Sequence, residues 1–105
     1  MDLNYAEAYT KRGVAYRNKN DYDRAIADHT QAIRIDPNYA LAYYNRGVQY
    51  GNKNDYDRAI ADYTEAIRLD PNYANAYNNR GNSYKAKGDT ARANADFAKA
   101  KELGY

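Results

Sequence analysis

Residues 40–73 read ALAYYNRGVQYGNKNDYDRAIADYTEAIRLDPNY, and this stretch is the unit from which the chain is built. About three quarters of it is already present in residues 6–39, and it returns more loosely from Ala74 to the C-terminus. Gly13, Gly47 and Gly81 mark the period of about 34 residues, with Ala25, Ala59 and Ala93 in step behind them. A fixed period of this length, holding two helical patterns, is the mark of a stack of helical hairpins. The expectation is one all-α domain over residues 1–105, with a lead-in at 1–5 and repeats at 6–39, 40–73 and 74–105.

Within each unit the first helix carries Tyr9, Arg12, Gly13 and Tyr16, or their counterparts, at helical spacing. The first of these helices should run from about Tyr5 to Lys19. Asn20 then closes it, since asparagine tolerates the left-handed backbone that ends helices; Asn54 and Gly88 are its counterparts. Asp21, Asp55 and Asp89 follow as N-caps of second helices over roughly Tyr22 to Ile35, Tyr56 to Leu69 and Thr90 to Leu103. Ala25, Ile26, His29, Ala32 and Ile33 form the stripe that the first of these should bury. Pro37 and Pro71 cannot continue a helix and mark the crossings between units. Asn4, Asn38 and Asn72 are expected to cap the first helices. Connections of a few residues force antiparallel neighbours.

Glycine inside a helix costs about 1 kcal/mol against alanine, so three in phase need a packing reason. The inferred reason is close approach of the two helices, with Gly13 facing Ala25 and with Tyr9, Tyr16 and His29 filling the space around. Asp28, Asp62 and Asp96 recur at the level of Arg12, Arg46 and Arg80, which predicts an arginine–aspartate pair in every unit, bidentate if the geometry allows.

Tyr43, Gly47, Tyr50, Ala59, Tyr63, Ala66 and Pro71 together resemble the tetratricopeptide repeat motif, and the likeness covers essentially the whole chain. Tyr9, Gly13, Tyr16, Ala25, His29, Ala32 and Pro37 supply the same set in the first repeat, and Tyr77, Gly81, Tyr84, Ala93, Phe97 and Ala100 in the third. Two departures stand out: arginine precedes each glycine where the motif has leucine, and Tyr105 stands where a third proline belongs. The resemblance implies an α-solenoid of three helix-turn-helix hairpins, about six helices, in a right-handed superhelical stack. It also implies a concave groove, lined by the first helices, that holds a peptide of a partner protein. The groove positions would be Glu7, Leu41 and Asn75; Thr10, Tyr44 and Asn78; Lys11, Asn45 and Asn79; Val14, Val48 and Asn82; and Arg17, Gly51 and Lys85. Amides there can donate to and accept from a peptide backbone, and Lys11, Arg17 and Lys85 favour a polar to mildly acidic ligand. Co-chaperones of the family grip a C-terminal carboxylate at positions that match Thr10, Val14, Asn45, Asn75 and Asn79. Only Asn45 is the residue that such a grip uses, which argues against a clamp for chaperone tails.

Other classes find little in the sequence. The net charge is +2, with basic and acidic residues interleaved, so neither nucleic acid nor an anionic membrane is an expected partner. Mean hydropathy is −1.09, no apolar run approaches a membrane span, and Met1-Asp2 does not open a signal peptide, so the expectation is a soluble protein of the cytoplasm. There is no cysteine and hence no thiolate metal site or cysteine nucleophile. His29 stands where Tyr63 and Phe97 stand and reads as core filler, not as an acid, base or ligand. Asp21/Asp23 and Asp55/Asp57 read as helix caps and surface charges, the glycines form no phosphate loop, and Asn52-Lys53-Asn54-Asp55 lacks the spacing of a calcium loop. No enzyme activity, cofactor or metal is therefore expected.

In the third repeat Thr90, Asn94 and Lys101 replace Tyr22, Ile26 and Ile33, so one face turns polar as a solenoid's last face requires. At the other end Tyr5 and Tyr9 have no such protection. This leaves a second functional expectation beside the peptide groove: a structural scaffold, fragment or idealised sequence, that stacks or weakly self-associates through its ends.

Overall fold

The computed structural model describes residues 2–105; Met1, the first residue of the expected lead-in, lies outside them. Six helices follow in order: α1 (Asn4–Asn18), α2 (Tyr22–Ile35), α3 (Ala40–Asn52), α4 (Tyr56–Leu69), α5 (Ala74–Ala86) and α6 (Thr90–Glu102). There is no strand among the described residues. Each odd helix packs on the even helix after it, and α2 and α4 each pack on the helix opening the next unit. The odd helices also touch one another, α1 with α3 and α3 with α5, whereas α2, α4 and α6 do not meet. The stack therefore bends toward α1, α3 and α5, which form its inner side.

Two kinds of turn set this geometry. Asn20 and Asn54 adopt φ of 60° and 62°, and Gly88 takes 84°, as the left-handed position requires. Asp21, Asp55 and Asp89 then accept from the backbone N–H three residues on, at 3.2, 3.3 and 3.1 Å. The crossing between units works differently from expectation. Leu3, Tyr39 and Tyr73 hold the N-cap positions and make no side-chain cap bond, and Asn4 already lies inside α1. The aspartate two residues earlier takes over, because its carboxylate reaches its own downstream backbone: Asp2, Asp36 and Asp70 accept from the N–H of Asn4, Asn38 and Asn72 at 2.9, 3.1 and 3.1 Å.

The core is alanine and ring. Ala25, Ala32, Ala59, Ala66, Ala93 and Ala100 are buried on the even helices, and Ala6, Ala42 and Ala76 on the odd ones. Of the stripe expected on α2, Ala25, His29 and Ala32 are buried, while Ile26 and Ile33 are only partly so. Nor is Ala25 what Gly13 faces most closely. A Cβ on Gly13 would stand 2.6 Å from His29 Cε1, one on Gly47 2.8 Å from Tyr63 Cε1, and one on Gly81 2.7 Å from Phe97 Cε1. The missing side chain makes room for the ring that crosses the hairpin, and the alanines let the helices close around it.

The arginines that replace leucine before each glycine lock the hairpins. Arg12, Arg46 and Arg80 each donate two parallel bonds to Asp28, Asp62 and Asp96, at 2.8 and 2.7 Å in every repeat. Arg46 and Arg80 go further and donate to Thr30 and Thr64 of the preceding unit at 3.3 Å. Each guanidinium also lies over two tyrosine rings of its own helix, as Arg46 does over Tyr43 and Tyr50 at 5.8 and 5.9 Å. Burial pushes the Asp62 carboxyl up and Arg46 opposes it, while the same contact holds the Arg46 proton more firmly.

Thr90, Asn94 and Lys101 are exposed, whereas Tyr22, Ile26 and Ile33 of the first repeat are partly covered. At the opposite end Tyr5 is 62% exposed.

Candidate functional site

The inner side is built by one face of each odd helix. On each odd helix the five positions read from the sequence recur at i, i+3, i+4, i+7 and i+10 and so share one face by helical periodicity. The structure gives the fifteen positions read from the sequence unequal access. Glu7, Lys11, Leu41, Asn75, Asn82 and Lys85 are exposed; Val14, Arg17, Tyr44, Val48, Gly51, Asn78 and Asn79 are half-buried. Thr10 is buried, with no partner for its hydroxyl, and Asn45 is only 8% exposed. These two sit deeper than a ligand-lining position.

Tyr44 organises the middle of this face. Its ring stacks on Tyr73 at 4.9 Å between centroids and tilts against Tyr63 at 5.9 Å. Its hydroxyl accepts from Asn79 Nδ2 at 2.9 Å, across from α3 to α5. Burial pushes the Tyr44, Tyr63 and Tyr73 hydroxyls up, so all three stay neutral at ordinary pH. They act as donors, acceptors and flat apolar surface, not as acids.

The cations divide into two groups. Lys11 is paired with Glu7 at 3.1 Å. Arg17 and Lys85 make no ion pair among the described residues, whereas Arg46 and Arg80 are committed to aspartates of their own hairpins. The inner face thus offers two free positive charges, on α1 and α5, with α3 neutral between them.

Between α3 and α5 the face opens into a recess of about 330 Å³, lined by Val48, Gly51, Asn52, Tyr56, Tyr63, Asn79, Asn82, Ser83 and Ala86. Sequence reasoning named Val48, Gly51, Asn79 and Asn82, and missed Tyr56, Tyr63, Asn52, Ser83 and Ala86. Tyr63 was read as core filler alone, and the signal that it also forms a floor lay in Gly51, which removes the side chain that Arg17 and Lys85 place at the same position. Among the described residues no group of three histidine, aspartate or glutamate side chains is placed to hold a metal. No helix there is long and apolar enough to cross a membrane.

Comparison with known proteins places this architecture. Profiles described as tetratricopeptide repeat match residues 6–39, 30–61 and 74–103, and one described as TPR repeat matches 49–88. Among curated protein sequences none matches this chain. Among solved structures, the second TPR of Spaghetti (RPAP3) bound to HSP90 peptide SRMEEVD is 32% identical, with a TM-score of 0.94 over 96% of this chain and 94% of that one. The second TPR domain of human RPAP3 in complex with HSP70 peptide SGPTIEEVD is also 32% identical, with a TM-score of 0.92 over 95% and 83%. MamA is 34% identical with a TM-score of 0.91, and this chain spans 60% of it. The chain belongs to the tetratricopeptide repeat family.

Proposed function

We propose that the chain is a non-enzymatic protein-interaction module that holds an extended segment of a partner protein along the inner side of the stack. One observation carries the reading: Arg17 and Lys85, two cations with no ion pair among the described residues, flank a face of neutral amides and tyrosines along α1, α3 and α5. That face can hydrogen-bond a peptide backbone and attract carboxylates, while its tyrosines supply contact area at little entropic cost. The structural relatives bound to chaperone peptides support a peptide as the class of ligand. The positions matched to a carboxylate clamp carry Thr10, Val14, Asn75 and Asn79 here, so the ligand differs from a chaperone tail. The peptide SRMEEVD is expected to bind no better than its scrambled version.

A display library of random dodecapeptides, panned on the protein and then on Arg17→Glu/Lys85→Glu, tests the reading. Enrichment of acidic, polar sequences that the double variant no longer retains is the expected result. Enrichment of nothing at all overturns it.

End-to-end self-association is a second reading, and the recess of about 500 Å³ formed by Tyr5, Tyr9, Gln31, Arg34 and Ile35 favours it. The opposite face of α6, with Thr90, Asn94 and Lys101, offers that recess no apolar match, so the groove ranks first. A sedimentation coefficient that rises with concentration would reverse the ranking.

A further inference from the structure

We propose that Gly51 opens a side-chain pocket on the inner face, and that this pocket selects a tyrosine with acidic residues a few positions away on either side in the bound peptide. The inference rests on the groove reading above and names its ligand.

Three equivalent positions line up across the odd helices: Arg17, Gly51 and Lys85. Glycine within a helix is disfavoured against alanine, and nothing in the packing asks for it here. A Cβ on Gly51 would meet only the Tyr63 hydroxyl, at 3.9 Å, which is ordinary contact. Gly13, Gly47 and Gly81 are each pressed by a ring; Gly51 is not. Its effect is instead to leave open the recess between α3 and α5 that a long side chain would cover.

The lining states what fits. The floor is made of Tyr63, Tyr56 and Val48, flat and apolar enough for an aromatic ring. Asn79 and Asn82 stand at the wall with neutral amides, and Asn82 makes no side-chain hydrogen bond among the described residues. No charged group lines the recess, so a buried charge would find no partner and is disfavoured. A neutral ring with a hydroxyl at its tip satisfies both parts of the lining. An extended chain advances about 3.3 Å per residue. A peptide crossing the three helices with its tyrosine in the recess between α3 and α5 therefore carries residues a few positions before and after it toward Arg17 and Lys85. Neither cation makes an ion pair among the described residues, which makes the flanking residues acidic.

Fluorescein-labelled peptides Glu-Ser-Thr-X-Ser-Thr-Glu, with X as Tyr, Leu, Lys or Ala, provide the test by anisotropy on the wild type and on Gly51→Arg. That variant installs what the first repeat already carries, so its melting temperature should be unchanged or higher. The expected result is at least tenfold tighter binding for X as Tyr than as Ala, with the preference abolished in Gly51→Arg. Equal binding of the Tyr and Ala peptides, or a preference that survives Gly51→Arg, overturns the pocket and leaves the groove standing. A preference for Leu or Lys over Tyr overturns the assigned occupant. No binding by any of them, together with an unproductive display library, overturns the groove and the pocket at once.

Discussion

Repeats one and two are about three quarters identical in sequence, yet the same residues meet different surroundings in them. Arg12 is 59% exposed and Arg46 20%, though both grip an aspartate at the same 2.7 Å. Arg46 has the preceding unit's Thr30 over it, and Arg12 has no such partner. At the hairpin centre, His29 and Tyr63 occupy one position against one glycine, but they differ in charge chemistry. The comparison separates what a hairpin owes to its own sequence from what its neighbours add. In a linear stack that second share is a nearest-neighbour term.

The largest effect should come from filling the glycine niche. Gly47→Leu would drive its side chain into the Tyr63 ring and the Asp62 Cβ, already 2.8 and 3.2 Å from a Cβ alone. We expect a loss of about 3 kcal/mol in urea denaturation. Gly13→Leu should cost less, because the first hairpin is held by a neighbour on one side among the described residues and can shift. Equal losses at both positions would mean that neighbour packing contributes nothing to hairpin rigidity.

Acid should single out the first repeat. His29 is fully buried, neither ring nitrogen has a hydrogen-bond partner among the described residues, and burial pushes its pKa down to about 4. The unfolded ring titrates near 6.5, so between those values the unfolded chain holds the additional proton. The contribution is complete above about pH 6.5 and is lost as pH falls toward 4, by about 3 kcal/mol in total. His29→Phe, which copies Phe97, should remove that limb of the stability–pH curve. If chemical denaturation between pH 7 and pH 4 runs parallel for the two proteins, the ring is not held neutral.

Next in size is the arginine–aspartate pair, measured by double-mutant cycles in both repeats. The half-buried bidentate pair Arg46/Asp62 should couple by about 2 kcal/mol. Arg12/Asp28, with its guanidinium in water, should couple by less than about 1 kcal/mol. Added salt should weaken the second and barely touch the first. Equal coupling energies would assign the whole effect to the hairpin itself.

Much of the fold was legible because the repeat states it three times. The four helices given bounds from the sequence, α1, α2, α4 and α6, fall within one residue of them, and the bidentate pairs follow from arginine and aspartate recurring at one spacing. The helix caps at Asn4, Asn38 and Asn72 were misread, since a composition rule cannot tell which of Asp36 and Asn38 turns back on the backbone. For the proposed groove the sequence offers positions at helical spacing and no depth. Periodicity says that Thr10 and Asn45 share a face with Lys11 and Tyr44, and it does not say that the first two are buried. The recess beside Gly51 lay further out of reach, because it is made by an absent side chain on one helix and by rings on another.

The smallest expected effect tests the turns. Tyr22 and Tyr56 donate their hydroxyls to Asn20 and Asn54 at 3.2 and 2.8 Å. In the third repeat Thr90 replaces the tyrosine, and Gly88 replaces the asparagine. Asparagine thus stands in the left-handed position where a tyrosine can hold its side chain, and glycine stands where none can. Asn54→Gly removes backbone strain but also an exposed hydrogen bond and some unfolded-state restriction, for a net loss of about 0.5 kcal/mol. Asn54→Ala keeps the strain and loses the bond, and should cost about 1 kcal/mol or more. In a Tyr56→Phe background the Asn54→Gly loss should shrink toward zero, because the hydrogen bond is already gone. Urea midpoints of the wild type, Asn54→Gly, Tyr56→Phe and their double variant measure this directly, and an undiminished loss in the Phe background would show that the tyrosine plays no part in choosing asparagine at the turn.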